Sequence, residues 1–224
     1  IDCVKLRVVL ATEMTQEPFQ SFAFDGVLGL GLAGLALAPE FSFFGRMAEE
    51  GRIGQALFGV FLAESDDEQS EISFGGLSPE HMTGDMTWAD VALPDLGYWQ
   101  VRIKSVRVGD QLIDFCSGDS DCRAVVDTGT SLLAVPSMLV EQLQGLLMKG
   151  LIQDPEQIER HGCKHLQGQP LHFELEDNLT ITLNTEDYAR QTLVPANKSA
   201  ESAERQITCR ATLMRSILIS SIDT

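Results

Sequence analysis

Hydrophobic and polar residues alternate along much of this chain with a period of two, a pattern typical of β-strands. The alternation over residues 4–10 predicts a half-buried strand near the start of the sequence. A nearly continuous apolar run over residues 57–62 predicts a strand that is buried on both faces.

The same period continues through the second half of the chain. Residues 101–108 and 112–113 predict two strands joined by a turn at Gly109-Asp110. Two alternating segments, 171–175 and 179–183, flank a polar turn sequence and predict a β-hairpin.

Helical periodicity is limited to short segments. Residues 40–50 place apolar side chains on one face and predict a helix that ends at Gly51. Ser137 is a candidate N-cap for a second helix that ends at Gly150. Asp154-Pro155-Glu156-Gln157 supplies a capping residue followed by a proline at the first helical position, which predicts a third helix. The patterns together predict an all-β fold with short connecting helices.

Composition and charge exclude several classes of protein. The chain has 224 residues, of which 44% are hydrophobic and 22% charged, which is the balance of a folded protein rather than a disordered one. Its net charge of −17 repels phosphates, so we expect neither nucleic acid nor anionic membrane as a partner. No apolar run reaches the roughly 18–20 residues of a spanning helix, so the sequence predicts no membrane span in this chain, and we find no signal peptide.

The cysteines and glycosylation sequons point to an oxidising environment. Cys116 and Cys122 bracket a short polar loop that a small disulfide would close. Cys163 and Cys209 are spaced to close a long loop. Asn178 and Asn197 are candidate N-glycosylation sites. Cys3 is left over, and we take this odd cysteine as an indication that the chain is part of a longer protein.

The richest segment for chemistry is Ala124–Leu133, where an apolar run delivers Asp127 into a turn of small residues. We expect a buried strand before Asp127 and a capped helix after the turn. The hydroxyls of Thr128 and Thr130 and the amide of Gly129 would hold the carboxylate in a fixed orientation, as activation of a water molecule requires. Asp-Thr-Gly is also ordinary turn chemistry, so a purely structural role for Asp127 stays open.

This segment resembles the second catalytic motif of the pepsin-like aspartic proteases, and the likeness extends along the chain. The segments that carry it run in collinear order from about residue 1 to about residue 209: Phe24–Gly31, Ala56–Leu62, Ile72–Leu77, Gly97–Val101 and Val125–Leu132. The resemblance implies an all-β, bilobal acid protease fold. It places residues 1–75 at the end of the N-terminal lobe with the interlobe strands, and residues 76–224 in the C-terminal lobe.

The resemblance also implies a chemistry. Asp127 would be one of two catalytic aspartates of an endopeptidase that hydrolyses polypeptides through an activated water, with no cofactor and no metal. The resemblance pairs Cys116 with Cys122 and Cys163 with Cys209. It assigns substrate contact or support of the site to Thr128, Gly129, Thr130, Ser131 and Tyr98, with Thr128 bonding across to its counterpart in the other lobe.

The chain departs from the family at one essential point. The family uses two aspartates, and Asp127 stands in the one Asp-Thr-Gly of this sequence. The first motif and the flap hairpin should precede Ile1, so we expect a missing N-terminal lobe segment or a partner chain to supply the second aspartate. A lone carboxylate is a poor base, and we therefore expect this chain alone to be inactive.

Two other functions are compatible with the sequence. A catalytically inactive relative would keep the cleft as a peptide-binding module, and a structural subunit would keep the lobe as a docking surface in a larger assembly. A homodimer pairing two Asp127 residues is disfavoured by the long lobe-specific insertions. For the protease we expect the secretory pathway, ending outside the cell or in an acidic, lysosome-like compartment.

Three other motifs favour structural explanations. Residues 29–34 spell the glycine pattern of a dinucleotide site, but Pro39 interrupts the helix that such a site needs. His161, Cys163 and His165 resemble a metal cluster without a fourth ligand. The lone histidines His81 and His172 are most simply surface or core residues.

Overall fold

The computed structural model describes residues 3–16, 24–65, 67–116, 121–151, 153–176, 178–195 and 205–216. The chain forms two compact units, Ile1–Gln100 and Val101–Thr224. The assignment of residues 1–75 to the end of the N-terminal lobe with the interlobe strands, and of residues 76–224 to the C-terminal lobe, stays a prediction. Among the described residues, no helix has the length and apolar character needed to cross a membrane.

Strands predominate over helices, as the period-two pattern predicts. The strands are β1 (Phe58–Phe61), β2 (Glu71–Phe74), β3 (Gln100–Val108), β4 (Gln111–Ile113), β5 (Arg123–Val125), β6 (Leu133–Pro136), β7 (Leu171–Leu175), β8 (Thr180–Leu183), β9 (Ala189–Pro195), β10 (Arg205–Ala211) and β11 (Leu213–Ser216). The α-helices are α1 (Phe43–Glu49), α2 (Val140–Leu147), α3 (Pro155–His161) and α4 (Thr185–Tyr188). Single 3₁₀ turns lie at Ala33–Leu35, Pro39–Phe41, Pro79–His81, Pro94–Leu96 and Ser137–Leu139.

Aromatic packing organises the first unit. β1 pairs antiparallel with β2, and Phe58 lies opposite Phe74. The ring of Phe58 meets the ring of Phe44 edge to face at 5.0 Å and that of Trp99 at 5.6 Å. The Trp99 indole donates to the Leu30 carbonyl at 2.7 Å. β1 is half-buried throughout, so the prediction of a strand buried on both faces was wrong.

The strand predicted over residues 4–10 is absent, and this prediction was also wrong. No described residue from 3 to 16 lies in a strand, and Val8, Val9 and Leu10 are 67%, 70% and 82% exposed. Alternation of side chains does not make a strand unless a neighbouring strand accepts its backbone hydrogen bonds. The backbone bond recorded for this segment runs from the Arg7 N–H to the Glu40 carbonyl at 2.9 Å.

A five-stranded sheet forms the centre of the second unit. Its strand order is β4-β3-β7-β8, and β5 also pairs with β3. β3 turns into β4 at Gly109, whose φ of +55° suits a glycine, and β7 and β8 form the predicted hairpin. The buried core of the second unit includes apolar side chains that are less than a tenth exposed: Val106, Val108, Ile113, Leu143, Leu147, Ile158, Leu171 and Leu175.

The N-terminal ends of the helices can be compared with the capping residues that the sequence predicts. Asp154 caps α3 as predicted, because its carboxylate accepts the Glu156 N–H at 3.0 Å. α1 begins at Phe43 rather than at residue 40, with the Ser42 hydroxyl accepting the Gly45 N–H at 3.2 Å. The prediction of Ser137 as an N-cap was wrong: α2 begins at Val140, and the Ser137 hydroxyl donates to the Ser216 carbonyl at 3.0 Å.

Two disulfides and one buried tyrosine fasten the second unit. Cys116 is bonded to Cys122 and Cys163 to Cys209, with Cα atoms 5.3 Å and 5.8 Å apart. Cys3 is free and exposed. Tyr188 is 2% exposed and donates its hydroxyl to the Gln169 carbonyl at 2.8 Å, and burial raises the pKa of this phenol.

Candidate active site

The loop that carries Asp127 is held at both ends by paired strands. β5 enters the loop while paired with β3 in the central sheet. β6 leaves it paired in parallel with β11, and the Leu133 N–H donates to the Thr212 carbonyl at 3.0 Å. The loop therefore connects two paired strands within the second unit.

Two hydrogen bonds from within the same turn orient the Asp127 carboxylate. The Gly129 N–H donates to Oδ1 at 2.9 Å, and the Thr130 hydroxyl donates to Oδ2 at 2.6 Å. The Thr130 N–H also donates to the Asp127 carbonyl at 3.2 Å and closes the turn. A Cβ atom at Gly129 would lie 3.2 Å from Oδ1, so a side chain there would press against the carboxylate. The turn thus supplies one hydrogen-bond donor to each carboxylate oxygen.

These donors favour the ionised form of Asp127. The Thr130 hydroxyl, followed by the Gly129 N–H, lowers the pKa of this carboxyl below its ordinary value, and slight burial opposes them. The carboxylate is therefore a preorganised acceptor, but a weak base while it stands alone.

The surroundings of Asp127 are exposed, which corrects the expectation of a buried strand before it. Every residue from Val125 to Leu132 is exposed, with Val125 at 49%, Val126 at 59% and Leu132 at 42%. Thr128 and Ser131 belong to this exposed stretch, and neither side chain has a hydrogen-bond partner within the described part of the chain. Apolar side chains exposed around an oriented carboxylate form a surface suited to a further polypeptide.

Tyr98, which the sequence suggested as a supporting residue, belongs to the first unit. It is 44% exposed and follows Gly97, whose φ of +83° suits a glycine. Gly97 packs tightly against Gly34, where an added Cβ would come within 2.9 Å of the Gly97 nitrogen. Gly31 and Gly34 therefore allow close packing of the backbone, whereas an added Cβ at Gly29 would meet open space.

His81 is partly buried and makes local contacts. Its ring stacks on Phe61 at 3.8 Å, and its Nε2 lies 3.9 Å from a Glu71 oxygen. Glu71, Glu80 and His81 each offer a ligand atom, and these atoms lie within 4.8 Å of one another. The sequence signal was weak, since Glu71 is far from the adjacent pair Glu80-His81 in the chain. Exposed carboxylates often approach each other without an ion, so we assign no metal here.

The other histidines have local partners. His161 and His165 lie edge to face at 6.0 Å, while the cysteine between them, Cys163, is bonded to Cys209. The His172 ring is 2.9 Å from the Thr182 hydroxyl across β7 and β8.

Comparison with known proteins gives the family. The family model described as eukaryotic aspartyl protease matches residues 1–206. The chain belongs to this family. The pepsin-like resemblance and the mostly β fold expected from it are therefore confirmed.

Similar curated proteins are cathepsins and pepsins. Mouse cathepsin E is 35% identical over 189 residues, which cover 81% of this chain and 45% of that protein. Rat cathepsin E is 40% identical over 59% of this chain and 33% of that protein. Pepsin A of Suncus murinus is 39% identical over 54% of this chain and 30% of that protein. The aligned part of this aspartyl protease chain thus spans less than half the length of these relatives.

Proposed function

We propose that this chain contributes one catalytic aspartate, Asp127, to an aspartic endopeptidase. The second aspartate comes from a polypeptide segment outside the 224 residues, either in a longer form of the protein or in a partner chain. The substrate is a polypeptide, and no cofactor takes part.

The observation that carries this proposal is the pair of donors on Asp127. If Asp127 only shaped its turn, one hydrogen bond from the backbone to one carboxylate oxygen would be enough, as in an ordinary Asx turn. Here the Gly129 N–H occupies one oxygen and the Thr130 hydroxyl the other, while the carboxylate stays exposed. This arrangement leaves a fixed, ionised group facing the space where a second carboxylate and a substrate would lie.

The second carboxylate is a chemical requirement. Two carboxylates in close contact cannot both ionise, so the pair holds one proton at acid pH. The ionised member takes a proton from a water molecule, which attacks the peptide carbonyl. The protonated member donates its proton to the carbonyl oxygen, which gives a tetrahedral diol. When the C–N bond breaks, the proton taken from water passes to the leaving amine, and one diol hydroxyl returns a proton to the second carboxylate, so that the pair again holds one proton. No covalent enzyme intermediate is formed.

The neighbouring residues have supporting roles in this proposal. Gly129 and Thr130 hold the carboxylate, while the exposed Thr128 and Ser131 are free to bond the second aspartate's loop or the substrate backbone. Tyr98 keeps the role that the resemblance assigns to it, which is to support the site or contact the substrate. The apolar residues Val126 and Leu132 favour hydrophobic substrate side chains next to the cleaved bond.

The proposed compartment is the secretory pathway, with the protein acting outside the cell or in an acidic vesicle. Two disulfides are typical of proteins that fold in an oxidising lumen. Asn178 lies exposed at the β7–β8 turn with a φ of +57°, where a glycan would meet solvent. The second sequon, at Asn197, lies outside the described residues.

The experiment compares the 224-residue chain with the complete protein, using an unfolded polypeptide substrate from pH 2 to pH 8. We expect the complete protein to cleave at acid pH and the isolated, folded chain to show no cleavage. Circular dichroism and intact disulfides establish that the isolated chain is folded.

Two outcomes contradict the proposal. Cleavage by the isolated chain would show that a second aspartate from outside is unnecessary, and would favour two copies pairing their Asp127 residues. A complete protein that binds peptide without cleaving it at any pH would favour an inactive peptide-binding or structural relative.

A further inference from the structure

A cavity outside the Asp127 loop lies between helix α2 and the β9–β10 hairpin. Its volume is about 410 Å³, within the range of small-ligand pockets. Its lining is contributed by α2, β9, β10 and the first residue of β11, and it includes Glu141, Arg190, Thr192 and Arg210.

Two arginines face each other at this cavity. Arg190 on β9 and Arg210 on β10 are direct partners in the antiparallel register. Cross-strand partners project from the same face of a hairpin with Cβ atoms about 4.5–5.5 Å apart, so both side chains extend over one side. Both side chains are exposed. Like charges directly opposite each other weaken a strand pair, and an anion bound between the two guanidinium groups would relieve that repulsion.

The positive charge of this pair is not neutralised by the described part of the chain. Arg190 uses one nitrogen, Nη1, to donate to the Glu186 and Ala189 carbonyls at 2.8 Å and 2.9 Å, which positions its guanidinium without neutralising it. Among the described residues, Arg210 has no recorded ion pair or side-chain hydrogen bond. Glu141, the acid that lines the cavity, is engaged by Arg215 at 3.1 Å.

The positive charge of this arginine pair contrasts with the net charge of the whole chain, which is −17. Guanidinium groups bind carboxylate and phosphate oxygens in a bidentate, charge-assisted geometry and stay protonated at every relevant pH. The Thr192 hydroxyl at the cavity wall offers a further donor.

We propose that Arg190 and Arg210 form a binding site for an oxyanion group, a carboxylate or a phosphate, carried by a ligand that fills the cavity. The site lies on the second unit and is independent of the catalytic role proposed for Asp127.

The test measures binding of two probes, inorganic phosphate and the dipeptide Glu-Glu, to the folded 224-residue chain by isothermal titration calorimetry. We expect saturable 1:1 binding of at least one probe, and the tighter probe identifies the anion. Arg190→Gln and Arg210→Gln should each weaken it about tenfold or more, since each removes a charge-assisted hydrogen bond. Arg210→Lys should bind with intermediate affinity, because it keeps the charge but loses the bidentate geometry.

Arg205→Gln is the matched control. Arg205 is an exposed arginine on the same strand, opposite Pro195 and about 17 Å from Arg210 at the usual strand rise. Its loss should change affinity less than twofold. The proposal is overturned if neither probe binds saturably, or if Arg205→Gln weakens binding as much as Arg210→Gln does. Circular dichroism of each variant separates loss of binding from loss of folding.

Discussion

At Asp127, two hydrogen-bond donors within three residues lower the pKa of the carboxyl group and favour its ionised form. The Thr130 hydroxyl is the stronger influence on the pKa, followed by the Gly129 N–H. Both belong to the same turn, so the aspartate is held by its own local sequence. A nearby threonine, Thr128, has no recorded bond to the carboxylate and provides a natural comparison.

We predict that Thr130→Val raises the pKa of Asp127 toward its ordinary value, because valine has the shape of threonine without the hydroxyl. Thr128→Val should leave that pKa unchanged in the isolated chain. Carboxyl ¹³C chemical shifts, followed by NMR as the pH is lowered, measure both. Equal shifts in the two variants would contradict the hydrogen-bond assignment.

The Thr130→Val substitution should also lower the stability of the folded chain in a pH-dependent way. A pKa that folding lowers contributes stability above the unfolded value, and this contribution is lost as the pH falls through the folded value. Thr130→Val should therefore lower the melting temperature relative to wild type at neutral pH. The difference should shrink below the ordinary pKa of 3.8. Because Asp127 is exposed, the effect is small and solvent-screened.

At the scale of elements, helix α3 depends on its first residue. Asp154 accepts the Glu156 N–H at 3.0 Å, and the helix it begins buries Ile158 completely. We predict that Asp154→Ala lowers the free energy of unfolding by about 1 kcal/mol, and that Asp154→Asn has little effect because asparagine caps as well. Urea unfolding measures both variants. An equal loss in the two would show that charge, and not capping, is what Asp154 supplies.

Local signals in the sequence predicted the elements whose stabilising partners are also local. The Asp154 cap, the glycine turn at Gly109 and the β7–β8 hairpin each depend on residues close together in the chain. The strand expected over residues 4–10 failed because alternation says nothing about which strand would pair with it. Ser137 failed as a cap because its hydroxyl bonds Ser216, a partner 79 residues away.

In the candidate sites, too, the sequence predicted contacts between residues close in the chain and missed contacts between distant ones. Asp127 and its turn were predictable, since Gly129 and Thr130 lie two and three residues away. The Arg190–Arg210 pair was missed because the strand register joins residues 20 apart, and no local pattern encodes that register.

At the scale of the whole molecule, the two disulfides differ in what they constrain. Cys163 and Cys209 are 46 residues apart, and Cys116 and Cys122 are 6 apart. In the chain-entropy model, removing the first pair costs about 4 kcal/mol and removing the second about 2 kcal/mol. We predict this order for the paired Cys→Ala variants in urea unfolding, with alanine chosen because Cys163 and Cys209 are buried.

A larger loss from removing the short loop would contradict that prediction. It would mean that the Cys116–Cys122 bond stabilises the unit through native contacts rather than by restricting the unfolded chain. The two Cys→Ala pairs therefore also serve as controls for each other.

The central claim is that Asp127 supplies half of a catalytic aspartate pair. The most direct measurement is the rate of polypeptide cleavage at acid pH by the complete protein, compared for wild type, Asp127→Asn and the control Asp110→Asn. Asp110 is an exposed aspartate in the β3–β4 turn, so its substitution makes the same chemical change away from the site. We predict that Asp127→Asn abolishes cleavage while melting temperature and peptide binding stay near wild type, and that Asp110→Asn cleaves normally. Cleavage retained by Asp127→Asn, with a lowered melting temperature, would show that Asp127 only shapes its turn.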